Sequence, residues 1–174
     1  MGVGKRRESM EHSYNIKIED IVLNPMSKEE AEKYRVLRYK YREWFGAQSY
    51  ISKEKQKEWY SRYLDNPNEF MFSIYNTLGN FIGGNSLYNI DYKNLQCEYG
   101  RIIVDADYSG RGYGLKATLG AVEIAREYLG LKRIYLEVKE KNVKALKVYY
   151  KAGFSISEVS DSSNKMLIME RVLN

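Results

Sequence analysis

The sequence holds a single cysteine, a single histidine, two prolines and no apolar run of membrane-spanning length. Each scarcity excludes something. One cysteine, Cys97, cannot form an internal disulfide, which fits a reducing compartment and a cytoplasmic protein. One histidine, His12, lies in a polar N-terminal stretch and cannot supply a histidine-rich metal site or a Ser-His-Asp triad. No metal is therefore expected. Cys97 lacks an activating histidine nearby, so it reads as a small half-buried thiol rather than a nucleophile. A transmembrane helix needs about 20 consecutive apolar residues, and none exists. The N-terminus is charged but lacks the apolar core of a secretory signal. Residues 1–13 read as a flexible leader, and residues 14–174 as one domain, since 174 residues suit a single core.

What is abundant is tyrosine, with 17 copies, and positive charge, with a net value of +5. Tyrosine joins a large apolar face to a hydroxyl that needs a partner when buried, so it suits a polar, pocketed fold. The excess cations sit in Lys5, Arg6 and Arg7 and along Lys28–Lys57. Glu29, Glu30, Glu32, Glu43, Glu54 and Glu58 interleave with them, which disfavours a nucleic-acid stripe and leaves solvated helix faces and attraction for an anionic ligand.

Along the chain, Asn15–Leu23 alternates imperfectly and predicts a first strand, broken at Asn24-Pro25. Ser27-Lys28-Glu29-Glu30 has the pattern of a capping box, opening a helix to about Trp44 that Gly46 ends. A second helix fits Ser52–Leu64. Phe70–Tyr75 and Phe81–Ile90 form a hairpin around Leu78-Gly79-Asn80, with Gly83-Gly84 marking a bulge or a close approach to a ligand. Strand Cys97–Val104, helix Tyr113–Leu129 with Gly130 behind it, strand Arg133–Val138, helix Asn142–Ala152 with Gly153 behind it, and a closing pair, Phe154–Val159 and Lys165–Leu173, complete the chain. Strand–helix alternation is confined to the second half. The class is therefore α+β: a mixed, mostly antiparallel twisted sheet with helices on both faces.

The most informative segment is Arg101–Gly114. An apolar strand enters a short polar loop with glycine at 110, 112 and 114, and a long helix follows. Such glycines let the backbone turn and approach a ligand, and the helix-start amides favour an anion. A phosphate or pyrophosphate is the expected ligand; a plain glycine-rich turn is the alternative. The loop is not a P-loop, because Leu115-Lys116-Ala117 follows Gly114, and its glycine spacing is wrong for a dinucleotide fingerprint.

The second segment, Leu136–Phe154, places Asn142, Ala145, Tyr149 and Gly153-Phe154 after a strand. This resembles the C-terminal motif of the GNAT acetyltransferases, N-x-x-A-x-x-x-Y-x-x-x-G-F. Ser109–Gly114 occupies the place of that family's R/Q-x-x-G-x-G/A motif, departing from it at Ser109. The likeness spans Phe70–Phe154. Tyr39–Tyr63, with Ile51-Ser52, Gln56 and Trp59-Tyr60, is similar to the subgroup of ribosomal-protein N-terminal, spermidine and nucleotide-sugar amine acetyltransferases.

The resemblance implies an N-acetyltransferase that uses acetyl-CoA, held where two central parallel strands, Cys97–Val104 and Arg133–Val138, splay apart. It implies pyrophosphate contacts at Ser109, Gly110, Arg111, Gly112, Tyr113 and Gly114, and pantetheine contacts at Ile103, Val104, Asn142 and Ala145. It implies direct attack by a primary amine and thiolate protonation by Tyr149, which also borders the cofactor. Glu137 and Glu98 are the candidate bases, with water as a possible intermediary. The acceptor is expected to be a small molecule such as a polyamine or amino sugar. Alternatives are a protein N-terminus or a non-catalytic CoA-binding role. A homodimer is a further expectation; nucleic-acid and membrane partners are not.

Overall fold

The computed structural model describes residues 12–45, 49–160 and 165–174. Eight strands form one sheet: β1 (Ile16–Ile18), β2 (Ile21–Pro25), β3 (Phe70–Asn76), β4 (Phe81–Asp91), β5 (Gln96–Val104), β6 (Arg133–Lys139), β7 (Ser155–Val159) and β8 (Met166–Val172). Their order is β1-β2-β3-β4-β5-β6-β8-β7. Every neighbouring pair is antiparallel except β5 and β6, which run parallel. The helices are α1 (Lys28–Lys40), α2 (Lys53–Leu64), α3 (Tyr113–Glu123) and α4 (Val143–Lys151).

Strand alternation divides the core between two faces. On β3, Met71 joins Met26, Ala31, Tyr34, Tyr60 and Tyr63 beneath α1 and α2. Its neighbours Phe72 and Ile74 join Ala117, Ala121, Ile134, Leu136 and Tyr149 beneath α3 and α4. The buried tyrosines beneath α1 and α2 spend their hydroxyls on backbone groups: Tyr60 donates to the Met26 carbonyl at 3.0 Å, and Tyr63 accepts from the Met71 amide at 3.0 Å. The many tyrosines thus satisfy backbone groups as well as filling space.

The capping box is formed. Ser27 Oγ accepts from the Glu30 amide at 3.3 Å, and Glu30 Oε2 accepts from the Ser27 amide at 2.8 Å. Glu30 also accepts from Ser73 and Tyr75, tying α1 to β3.

Five expectations need correction. The single strand Asn15–Leu23 is a hairpin, because Glu19-Asp20 make a two-residue turn, with Glu19 at φ 51; Lys116 Nζ holds both carboxylates, at 3.1 and 2.6 Å. β2 continues through Pro25, where pairing with β3 ends. The first helix stops at Lys40, and Arg42–Trp44 forms a separate 3-10 turn; the expected stop at Gly46 lies outside the described residues. Cys97 is fully buried, not half-buried, and burial, with the Glu98 charge behind it, pushes its thiol up to about 12. Of the expected leader, residues 1–11 lie outside the described set, whereas His12 sits on the sheet, with Nε2 2.9 Å from the Met71 carbonyl oxygen and its ring against Phe70 and Phe72.

Candidate active site

β5 and β6 pair only at Gln96–Arg133, Cys97–Ile134 and Glu98–Tyr135. Beyond Glu98 they separate, while β4 stays with β5 and β8 with β6. The sheet therefore opens as a V at its centre. One cause is an extra residue in β5. Gly84 faces Ile103 and Ser86 faces Gly100, so three steps on β5 match two on β4. Arg101, at φ 53, takes up the difference. The bulge also explains Gly83-Gly84. A Cβ on Gly83 would lie 1.9 Å from the Ile103 carbonyl oxygen, so the close approach is to the neighbouring strand.

The upper end of β5 turns its backbone into the V. Asp105 donates its amide to the Ile82 carbonyl at 2.9 Å, toward β4. Strand residues alternate in this respect, so Val104 presents its own N–H and C=O to the gap, and Ile103 turns back to β4. The side chain of Ile103 is buried beneath α1.

A short turn, Ala106–Tyr108, then leads to Ser109 and the glycine loop. Gly110 has φ 77 and Gly112 has φ 75, left-handed conformations that a β-branched residue resists. Gly112 caps α3 with no side-chain acceptor, and the first intrahelical bond is donated by Lys116. The amides of Tyr113, Gly114 and Leu115 therefore have no intrahelical partner. No acidic side chain stands in the first turn of α3, and Arg111 is exposed beside the loop. A Cβ at Gly110 would meet nothing within 4 Å. The loop is an open cradle of backbone donors that fits an anion.

Within the V lies a cavity of about 360 Å³. Glu98, Glu137, Asn142, Ala145 and Tyr149 all line it, so residues from three separate segments meet in one space. Tyr149 is buried and its ring packs on Tyr99 and Phe154. Burial pushes its phenol well above the ordinary value, so it keeps its proton through neutral pH. The next residue, Tyr150, is exposed. Asn142 caps α4, its Oδ1 accepting from the Ala145 amide at 3.2 Å, which leaves its NH₂ for the cavity. Glu98 accepts from Tyr88 OH at 2.7 Å and from Asn89 Nδ2 at 2.8 Å. Glu137 is exposed and forms no hydrogen bond or ion pair among the described residues.

Sequence reasoning missed the other wall. Arg38, Trp44, Phe45, Tyr88, Arg101 and Lys139 also line the cavity. Arg101 lies with its guanidinium 4.1 Å from the Tyr88 ring centre and pairs with Glu69. No motif carries these residues. The one local signal was Gly100, whose Cβ position lies 3.0 Å from Tyr88 OH. Among the described residues there is no cluster of metal-ligating side chains, and no helix is long and apolar enough to cross a membrane.

The V in the sheet, the anion cradle at the start of α3 and the Asn-capped helix carrying a buried tyrosine are the arrangement that the resemblance to the GNAT acetyltransferases implies. Residues 20–155 match the family model described as an acetyltransferase (GNAT) domain. The chain belongs to the GNAT family. It is 31% identical over 84 residues to a spermine/spermidine N(1)-acetyltransferase of Bacillus subtilis, a match covering 48% of this chain and 55% of that protein. It is 29% identical over 111 residues to a spermidine N(1)-acetyltransferase of Vibrio cholerae, covering 64% of this chain and 63% of that protein. The matched stretches thus span less than two thirds of these relatives' own length. In fold, the chain matches the crystal structure of the Vibrio cholerae spermidine N-acetyltransferase in complex with CoA and spermine, with a TM-score of 0.82 at 20% identity, over 88% of this chain and 95% of that one.

Proposed function

We propose that the protein transfers the acetyl group of acetyl-CoA to the primary amine of a small molecule, a polyamine or an amino sugar. The observation that carries this reading is the convergence of Tyr149, Glu98 and Glu137 on one cavity in the V, next to the open amide cradle at Gly112–Leu115. The relatives' acetyl transfer to polyamines supports it. Residues 14–174 act as one catalytic domain.

The cofactor's pyrophosphate rests on the amides after Gly112, with Ser109 and Arg111 alongside, and its pantetheine arm follows Val104 and the NH₂ of Asn142. The thioester then lies beside Tyr149. The amine enters from the α1 side, where Glu98 and Glu137 stand. Glu98 already accepts two hydrogen bonds, whereas Glu137 accepts none among the described residues, so Glu137 takes the ammonium proton, directly or through water. The amine nitrogen attacks the carbonyl carbon, the new C–N bond forms, the C–S bond breaks, and the nitrogen releases its second proton to solvent. Tyr149 gives its proton to the departing sulfur, and solvent restores it. Positioning supplies the rest of the acceleration.

Self-association is part of the same proposal: β7 is exposed along its length at the sheet edge, with Ile156 and Val159 outward. So is a cytoplasmic location, where acetyl-CoA is available and the Cys97 thiol stays reduced. Thiol release from acetyl-CoA, followed with and without spermidine and glucosamine, tests the reading. Amine-dependent release supports it; no release with any primary amine, together with no heat of acetyl-CoA binding, overturns it.

A further inference from the structure

We propose that the acceptor is an amine whose carrier also bears an anionic group, a phosphate or a carboxylate. This rests on the acetyl transfer proposed above, and among its small-molecule amines it favours one that carries an anion, such as an amino-sugar phosphate, over a bare polyamine. The argument begins with strand alternation. On β6, Ile134, Leu136 and Val138 enter the core beneath α3, so Glu137 and Lys139 face the α1 side. On β5, Cys97 and Tyr99 enter the same core, so Glu98 also faces the α1 side. The acceptor half of the cavity is thus walled by Glu98, Glu137, Lys139, Arg101 and the α1 residue Arg38, with Trp44 and Phe45 at its edge.

These charges are not equivalent. Arg101 is neutralised by Glu69. Three of the four other cations of α1 have carboxylate partners: Lys33 with Glu29, Arg35 with Glu32 and Lys40 with Asp105, while Lys28 at the helix start has none among the described residues. Among the described residues, Arg38 and Lys139 have none. The Arg38 guanidinium lies 5.6 Å from the Phe45 ring centre, and Lys139 Nζ donates to the Glu43 carbonyl oxygen at 2.7 Å. Arg38 also lines an adjoining groove with Arg35, Arg42 and Tyr39, where Arg42 lies over the Tyr39 ring. Positive potential therefore extends outward from the cavity.

A bare polyamine would present its second ammonium to this wall. An amine that carries an anion matches both poles: the ammonium meets Glu98 and Glu137, and the anion meets Arg38 and Lys139. Glu137 and Lys139 are two residues apart on one strand face, roughly 7 Å, which sets the scale of the amine-to-anion separation. Arginine favours phosphate and carboxylate alike, through its paired N–H groups.

The test uses matched acceptors that differ only by the anion: glucosamine against glucosamine 6-phosphate, and cadaverine against lysine, with spermidine alongside. At low ionic strength the anion-bearing member of at least one pair should have a kcat/KM at least tenfold higher, falling as salt is added. The pair with the larger ratio distinguishes phosphate from carboxylate. Arg38→Gln and Lys139→Gln should each shrink that ratio roughly tenfold, through KM. Equal kcat/KM within both pairs, a preference for spermidine, or a ratio that survives both substitutions overturns the anion claim and leaves acetyl transfer standing. Acetyl-CoA binding without turnover of either pair also counts against it. Absence of both turnover and acetyl-CoA binding overturns the acetyl-transfer reading itself.

Discussion

The two halves of the central cavity are built by different means. The half beneath α3 and α4 is backbone: Val104 facing the gap, the loop at Gly110–Gly114, the free amides of α3 and the capped start of α4. The half beneath α1 is side chains drawn from separated segments: Arg38, Trp44, Tyr88, Glu98, Arg101 and Lys139. A backbone site needs glycine and a cap at fixed spacing, so it constrains the sequence tightly. A side-chain site constrains each position weakly, and its content is free to change with the acceptor. The first half therefore suits an invariant cofactor, and the second a variable amine.

Substitutions that touch one half and spare the other sharpen this contrast. The largest effect is expected where the halves meet. Tyr149→Phe keeps the ring contacts with Tyr99 and Phe154 and removes only the hydroxyl. Turnover should fall roughly 10²–10⁴-fold with acetyl-CoA affinity nearly constant. Tyr150→Phe, on the exposed side of α4, is the control; a loss there instead would place the acid one residue along. The alkaline limb of the wild-type rate profile should lie above the ordinary tyrosine range, because burial raises the Tyr149 phenol.

Next comes the backbone half alone. Gly112→Val must hold φ 75 with a branched Cβ, a strain of about 1–3 kcal/mol that the loop relieves by moving its amides. Calorimetric titration should show acetyl-CoA binding weakened by roughly tenfold or more. Unchanged affinity would mean that the phosphates lie elsewhere.

A third substitution tests the V itself. Gly83→Ala sets a Cβ against the Ile103 carbonyl, so β4 and β5 must part, at a cost of about 1–3 kcal/mol in urea unfolding. No loss of stability would show that the bulge yields easily.

The smallest effect lies outside the cavity, at Glu30. Burial acts to raise its carboxyl, but bonds from Tyr75, Ser27 and Ser73 outweigh it and hold the group below the ordinary carboxylate value. A depressed carboxylate stabilises the fold above the unfolded value, and that contribution disappears as pH falls through the folded one. Glu30→Gln should therefore destabilise by about 1 kcal/mol at neutral pH, and the difference should shrink below about pH 4. A difference independent of pH would contradict this account of the cap.

The same contrast governs what the sequence disclosed. The helix starts at Ser27 and Ser52, the glycine loop, the Asn142 cap and the inward Tyr149 were legible because each is a local backbone requirement met by one residue type. The hairpin at Glu19-Asp20 was not, because a non-glycine residue takes the positive φ and a distant lysine, Lys116, holds the turn. Arg101 at the bulge was hidden for the same reason: nothing in Gly100-Arg101-Ile102 announces an extra residue until β4 is laid beside it. The acceptor wall was illegible because Arg38 and Lys139 become neighbours of one cavity only through the fold, and a lone arginine on a charged helix reads as solvated. His12 was misjudged in the same way, its partners Phe70 and Phe72 lying far along the chain.

The central claim is that acetyl-CoA lies in the V between β5 and β6 with its pyrophosphate on the start of α3. Backbone amide NMR of the whole chain, titrated with acetyl-CoA, tests it most directly. The account predicts the largest shifts at Val104, Gly110–Leu115, Asn142 and Ala145, with α1 and α2 little affected beyond Arg38. Shifts centred between α1 and α2, with Gly112–Leu115 unmoved at saturation, would contradict it.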